Sequence, residues 1–178
     1  DVFIEHVGMP ILACIPQAVK ALQDLGMHRK VQLIVSGGIR SGADVAKAMA
    51  LGADAVAIGT AALIALGDND PVHEEEYQKL GTTSDAYDDW HEGRDPAGIT
   101  TQDPELFKRF DPVLGGRRLK NYLKVMTLEA QTIARACGKN HLHNLEPEDL
   151  CSLTIEAAAM AGVPLAGTNW IPGRNGGF

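Results

Sequence analysis

Cysteine is scarce in this sequence: Cys14, Cys137 and Cys151 are odd in number and far apart, each flanked by apolar or small residues. That excludes a disulfide framework and any thiolate metal-ligand spacing, and leaves reduced packing residues. Long apolar runs are also missing. No segment approaches the roughly 18 consecutive apolar residues needed to cross a bilayer, and the start at Asp1 has neither the basic nor the apolar region of a signal peptide. The expected compartment is the cytoplasm, with no membrane partner. Basic charge is in the minority, 16 Lys and Arg against 23 Asp and Glu for a net charge of -7. An acidic chain has no sequence-independent grip on phosphate backbones, so nucleic acid is not an expected partner. Internal repeats are absent.

What is present is a soluble-type composition, 45% hydrophobic and 22% charged, able to bury a sizeable core. Apolar residues at helical spacing predict a helix over Ile15–Leu25, with Pro16 in its first turn and Gly26 as its stop. Val31–Val35 reads as a buried parallel strand that ends on Ser36-Gly37-Gly38. Ser41 or Gly42 caps a helix over Ala43–Leu51 that Gly52 ends, and Ala55–Ile58 is a second strand. Gly59-Thr60 opens a third helix through Leu66, closed by Gly67.

Residues 68–104 turn acidic and lose apolar periodicity, predicting a long surface excursion with a helical turn near Glu74–Leu80. Asp111-Pro112 starts a helix running to Cys137, stopped by Gly138. Glu146-Pro147 starts another running to Ala161, and the tail from Gly167 to Phe178 is expected to be an extended arm. The reading divides the chain into 1–67, the last strand–helix units of a barrel; 68–104, the acidic loop; and 105–178, C-terminal helices and tail.

The chemistry lies at the two strand ends. A phosphate needs several backbone N–H donors aimed at one point, and glycine lets the chain approach without a Cβ in the way. Ser36, Gly37, Gly38 and Ile39 form one such loop. Gly59 and Thr60, at a helix N-terminus, form another. Paired loops after the last two strands are a common phosphate site of (β/α)8 barrels; the plain alternative is a tight strand-to-helix turn. Arg40 either adds charge for a phosphate or carboxylate or is a solvated surface residue. Asp44 and Asp54 are read as a first-turn acid and a strand-entry residue.

The stretch from Val35 to Lys47, with Leu51-Gly52-Ala53-Asp54 and Ile58-Gly59-Thr60-Ala61-Ala62-Leu63, resembles the end of the FMN-binding domain of glutamate synthase. Pro96-Ala97-Gly98-Ile99-Thr100-Thr101-Gln102-Asp103-Pro104-Glu105-Leu106 resembles the segment after that family's iron–sulfur loop. The resemblance implies an α/β fold, the C-terminal portion of a (β/α)8 TIM barrel with added C-terminal helices, whose earlier strands carry the catalytic and flavin-ring residues. It implies FMN as cofactor, its phosphate on Gly37, Gly38, Gly59 and Thr60, and reduction of 2-iminoglutarate formed from 2-oxoglutarate and an amine.

One departure stands out. Where the family has cluster cysteines after the glycine matched by Gly67 and before the proline matched by Pro96, this chain has Asp68 and Asp95. Thiolates hold iron–sulfur clusters, so no cluster is expected here, and no other metal site is assigned. Tyr87-Asp88-Asp89-Trp90-His91-Glu92 reads as a solvated loop, with a metal or subunit contact as the alternatives. The cluster-less pattern resembles stand-alone subunits that work beside separate amidotransferase-like and small β-helical subunits, among them the large subunit of N-methylglutamate synthase; glutamate or N-methylglutamate is then the product, in an oligomeric assembly. Two rival readings are an IMP-dehydrogenase-like barrel and a flavin-binding assembly subunit without catalysis.

Overall fold

Ser41 decides where the central helix begins. In the computed structural model, which describes residues 6–87, 89 and 92–174, its hydroxyl accepts from the Asp44 amide at 3.3 Å. The Asp44 carboxylate in return accepts from the Ser41 amide at 3.2 Å. This capping box satisfies orphan donors at both positions, and the helix runs Gly42–Ala50.

The chain divides into two compact units. The first comprises 1–58 and 126–178, the second 59–125. In the first unit, α1 (Ile11–Asp24) leads to β1 (Ile34–Ser36), α2 is Gly42–Ala50, and β2 is Ala55–Ala57. The strands pair in parallel, Ile34 with Ala55, Val35 with Val56 and Ser36 with Ala57. Val35 points into a core of Ile15, Ile39, Ala48, Met49, Leu51, Ala161 and Val163. The opposite face of the sheet is bare: Ile34 is 67% exposed, and Ser36, Ala55 and Ala57 are exposed with it.

Five expectations change. Helix α1 begins at Ile11 after Pro10, so Pro16 lies inside it rather than in its first turn; the proline removes one main-chain bond, and burial of Ile15 holds the helix together. The strand forms over Ile34–Ser36, not Val31–Val35, because Val31 pairs only in an isolated bridge with His28. No helix runs from Pro147 to Ala161. Pro147–Asp149 is a single 3-10 turn, and helix begins again only at Ile155 after Thr154, whose hydroxyl caps Ala157. Between them Ser152 pairs its main chain with Pro164 and Ala166, so small hydroxyl residues favour a cap and a bridge over continued helix. The tail is not extended as far as Arg174: the Leu165 amide donates to the Trp170 carbonyl, and the Thr168 amide to the Leu165 carbonyl. Finally, a short helix forms at Pro104–Phe107, capped by Asp103.

In the second unit α3 is Thr60–Leu66, followed by a 3-10 turn at Pro71–His73, α4 (Glu74–Lys79) and α5 (Pro104–Phe107). The long helix α6, Pro112–Ala136, starts in this unit. Asp111 accepts from Val113 and Leu114 at its N-terminus, as the Asp-Pro pair predicts. Helix α7 (Ile155–Ala161) closes the first unit.

Residues 68–104 are less solvated than their acidity suggests. Tyr77 and Asp95 are fully buried, and Asp68, Ser84, Tyr87 and Thr101 nearly so. Asp88, Trp90 and His91 of the Tyr87–Glu92 motif, and Asn175–Phe178 of the tail, lie outside the described residues. No helix among the described residues is long and apolar enough to cross a membrane.

Candidate functional site

The loop after β1 is built by two glycines with backbone that side chains rarely adopt. Gly37 has φ 125 and Gly38 φ 66. Successive amides in such a turn face one side and form an anion-binding concavity. Nothing lies within 4 Å of where a Cβ on Gly38 would stand, and Gly37 faces only Ile11 Cδ1 at 3.6 Å. Ile39, 8% exposed, anchors the loop in the core, while Ser36, Gly37, Gly38 and Arg40 are exposed.

Counting donors shows how far the cradle extends. The Arg40 amide is taken by Asp44 Oδ2 at 2.9 Å, and the Gly42 amide by Glu129 Oε2 at 2.7 Å. The Ser36–Ala57 strand pairing directs the Gly37 amide at the Ala57 carbonyl, whereas the amides of Gly38 and Ile39 have no hydrogen bond among the described residues. Those two are therefore the donors open to an anion, and the N-terminus of α2 is not, being already capped from two sides. Asp44 and Asp54 carry structural work, as the sequence suggests: Asp54 Oδ2 accepts from the Leu33 amide at 2.7 Å at the entry to β2. Glu129 escaped the sequence reading, since nothing local links it to a glycine 87 positions away.

In the second unit, Gly59 is the N-cap of α3 without a side-chain cap bond. Both Gly59 and Thr60 are exposed, and no atom lies within 4 Å of a Cβ placed on Gly59. The Gly59 carbonyl starts the helix by accepting from Ala62 at 2.8 Å and Leu63 at 3.2 Å. The amides at its first positions have no partner among the described residues, the usual condition of a helix start.

The same unit has a polar centre around Asp95. Its Oδ1 accepts from the Ala97 amide at 2.9 Å, and its Oδ2 from Ile99 at 2.8 Å and Thr100 at 3.0 Å. Three amide donors offset the cost of burying a carboxylate. Tyr77 and Tyr87 pack with ring centroids 5.2 Å apart. Burial, then the nearby Asp95, pushes the Tyr87 phenol up to about 12 and raises Tyr77 as well, so both rings are neutral. Among the described residues no group of three His, Cys, Asp or Glu side chains is placed to hold a metal ion.

Comparison with known proteins places these features in context. The model of the family described as "Conserved region in glutamate synthase" matches residues 1–70 and 85–140. A "Glutamate synthase large subunit-like protein" of Rhizobium meliloti (strain 1021) is 86% identical over 174 residues, 98% of this chain and 39% of that protein. The "Archaeal glutamate synthase [NADPH]" of Methanocaldococcus jannaschii is 42% identical over 144 residues, 81% of this chain and 25% of its own length. The "Ferredoxin-dependent glutamate synthase 1, chloroplastic/mitochondrial" of Arabidopsis thaliana is 30% identical over 142 residues, 80% of this chain and 8% of its own. The chain thus spans well under half of each of these relatives. No solved structure matches it significantly.

Proposed function

Because the chain belongs to the glutamate synthase family, we propose that it forms the C-terminal part of an FMN-binding (β/α)8 barrel and holds the FMN phosphate on the Gly37-Gly38-Ile39 loop, with the Gly38 and Ile39 amides as donors. The observation that carries this reading is the exposed loop itself: two positive-φ glycines followed by two consecutive unpaired donors, with open space where a side chain on Gly38 would stand. Ser36 and Arg40 flank it, the first able to donate a hydroxyl and the second a positive charge. Gly59 and Thr60 are proposed as a second donor set. Barrel closure is supported by the bare face of the β1–β2 sheet, because parallel strands are normally covered on both faces and Ile34 at 67% exposure is an unstable end point.

Bound flavin supplies two-electron hydride chemistry at an imine carbon. This chain's own contribution is to fix the cofactor's anionic end; the catalytic residues are assigned to earlier strands. The proposed substrates are 2-oxoglutarate or glutamate with an amine, and the product glutamate or N-methylglutamate. The second product is favoured by the loop between Gly67 and Pro96, which has no cysteine and therefore no ligand for an iron–sulfur centre. Asp95 there ties the backbone directly. Proposed partners are separate amidotransferase-like and small β-helical subunits in a cytoplasmic oligomer. The family match sets aside an IMP-dehydrogenase-like barrel.

Substitutions at the loop test the reading in the full-length protein. Gly38→Asp puts a carboxylate against the phosphate and strains a positive-φ position, and is expected to remove nearly all FMN absorbance near 450 nm from the purified protein; Gly59→Asp tests the second donor set independently. Normal flavin content in Gly38→Asp would sink the site. Cys137→Ala and Cys151→Ala are expected to leave flavin unchanged.

A further inference from the structure

The loop that offers the Gly38 and Ile39 amides is strung between two fixed ends. One is β1, whose last residue, Ser36, pairs with Ala57. The other is the start of α2. Between them lie two positive-φ glycines, the residue type that loses most conformational freedom on being ordered. Such a loop aims its donors in one direction only as far as its ends are held.

The α2 end is held in two steps. Asp44 Oδ2 accepts from the Arg40 amide at 2.9 Å and from the Ser41 amide at 3.2 Å. Asp44 belongs to α2 itself, so these bonds join the loop to the helix without fixing the helix. Packing fixes it further along: Ala46 and Ala50, about one and two turns on, share a buried cluster with Ala134 of α6. At the first turn, nearest the loop, the tie is polar, and Glu129 Oε2 of α6 accepts from the Gly42 amide at 2.7 Å.

Glycine at position 42 is what permits this bond. A Cβ there would stand 2.3 Å from the Met126 carbonyl and 2.6 Å from the Ala130 amide, so α6 reaches the helix start only against bare backbone. An ionised acceptor suits that place, because the amides and the dipole of a helix N-terminus favour negative charge, and such bonds are shorter and stronger than neutral ones.

We propose, on the strength of the phosphate reading above, that Glu129 is a positioning residue for the cofactor: by holding the Gly42 amide it fixes the end of the loop from which the Gly38 and Ile39 amides are aimed. A carboxylate repels a phosphate. Any phosphate affinity that Glu129 brings therefore comes through the order it imposes on the loop beforehand, which lowers the entropy lost on binding.

The test compares FMN with riboflavin, which carries the same ring and ribityl chain and no phosphate, by fluorescence titration of full-length protein freed of flavin. The ratio of the two affinities isolates the phosphate, since a general loss of packing moves both ligands alike. Two charge-assisted bonds make the wild-type ratio about a hundredfold or more. Glu129→Ala is expected to lower it about tenfold through FMN alone, the loss of roughly one such bond's worth of order. Glu129→Gln keeps an acceptor oxygen and removes the repelling charge, and is expected to hold the ratio at or above wild type. A ratio in Glu129→Ala equal to or above wild type, or one in Glu129→Gln as low as in the alanine variant, would overturn the positioning role. A wild-type ratio near one would instead sink the phosphate site and this role with it. Should Glu129→Ala fail to fold, Glu129→Asp, one methylene too short to reach Gly42, takes its place with the same expected fall.

Discussion

Gly42→Val is expected to cost the protein about 3 kcal/mol or more, the upper range for overpacking a filled site. A Cβ at this position would stand 2.3 Å from the Met126 carbonyl, 2.6 Å from the Ala130 amide and 2.7 Å from Glu129 Cβ. Two of those atoms are main chain of α6 and cannot rotate away. Forcing the helices apart also breaks the bond from the Gly42 amide to Glu129, which leaves a helix-terminal donor and a carboxylate without each other. For a domain of this size such a loss lowers Tm by roughly 6–12 °C. Thermal unfolding of the purified variant checks it, and a Tm within 2–3 °C (about 1 kcal/mol) of wild type would mean that α2 and α6 do not approach as closely as described. Glu129→Gln, which keeps an acceptor oxygen, is expected to be much milder.

Asp95→Ala is expected to be comparably severe for the second unit. Three amides lose their acceptor, that of Ala97 in a buried bond and those of Ile99 and Thr100 in part-buried ones. Each unsatisfied buried donor costs about 1–3 kcal/mol, so even partial hydration of the cavity leaves a loss of several kcal/mol. The expected signature is local: faster proteolysis between Ser84 and Leu106 and loss of amide-exchange protection at Ile99 and Thr100. Wild-type protection at those two amides in the variant would show that the carboxylate does not organise this segment. Asp95→Asn should fall between, because its amide nitrogen cannot accept where a carboxylate oxygen did.

Several helix starts and stops were legible from residue types. Of the two caps the sequence offers for α2, Ser41 and Gly42, Ser41 is the cap, and the first-turn acid Asp44 completes a capping box with it. Asp111-Pro112 announces the start of α6, and Gly138 follows its last turn. These signals are local and depend on few neighbours. The failures arise where a distant contact outweighs the local preference. Pro16 looks like a helix start, yet the burial of Ile15 draws four further residues into α1. The apolar spacing from Leu150 to Ala161 looks helical throughout, yet Ser152 bridges to Pro164 and Ala166 and helix is confined to Ile155–Ala161.

The candidate site was legible in part, for the same reason. Gly37-Gly38 after a β-branched strand is a sequence signal for an open loop, and its positive φ values follow from it. Which amides are left over is not: Asp44 removes the Arg40 amide from the cradle, and Glu129 removes that of Gly42. Acidic composition also misleads in 68–104, because Asp68 and Asp95 are buried, and the amides that receive Asp95 leave no mark in the composition.

The central claim is that the Gly38 and Ile39 amides receive the phosphate of FMN. Its most direct test is an electron-density map of the full-length protein crystallised with FMN. Density for the phosphate within hydrogen-bond distance of those two nitrogens is the expected result. A flavin whose phosphate lies elsewhere, with this loop facing solvent or filled by a side chain, would contradict it.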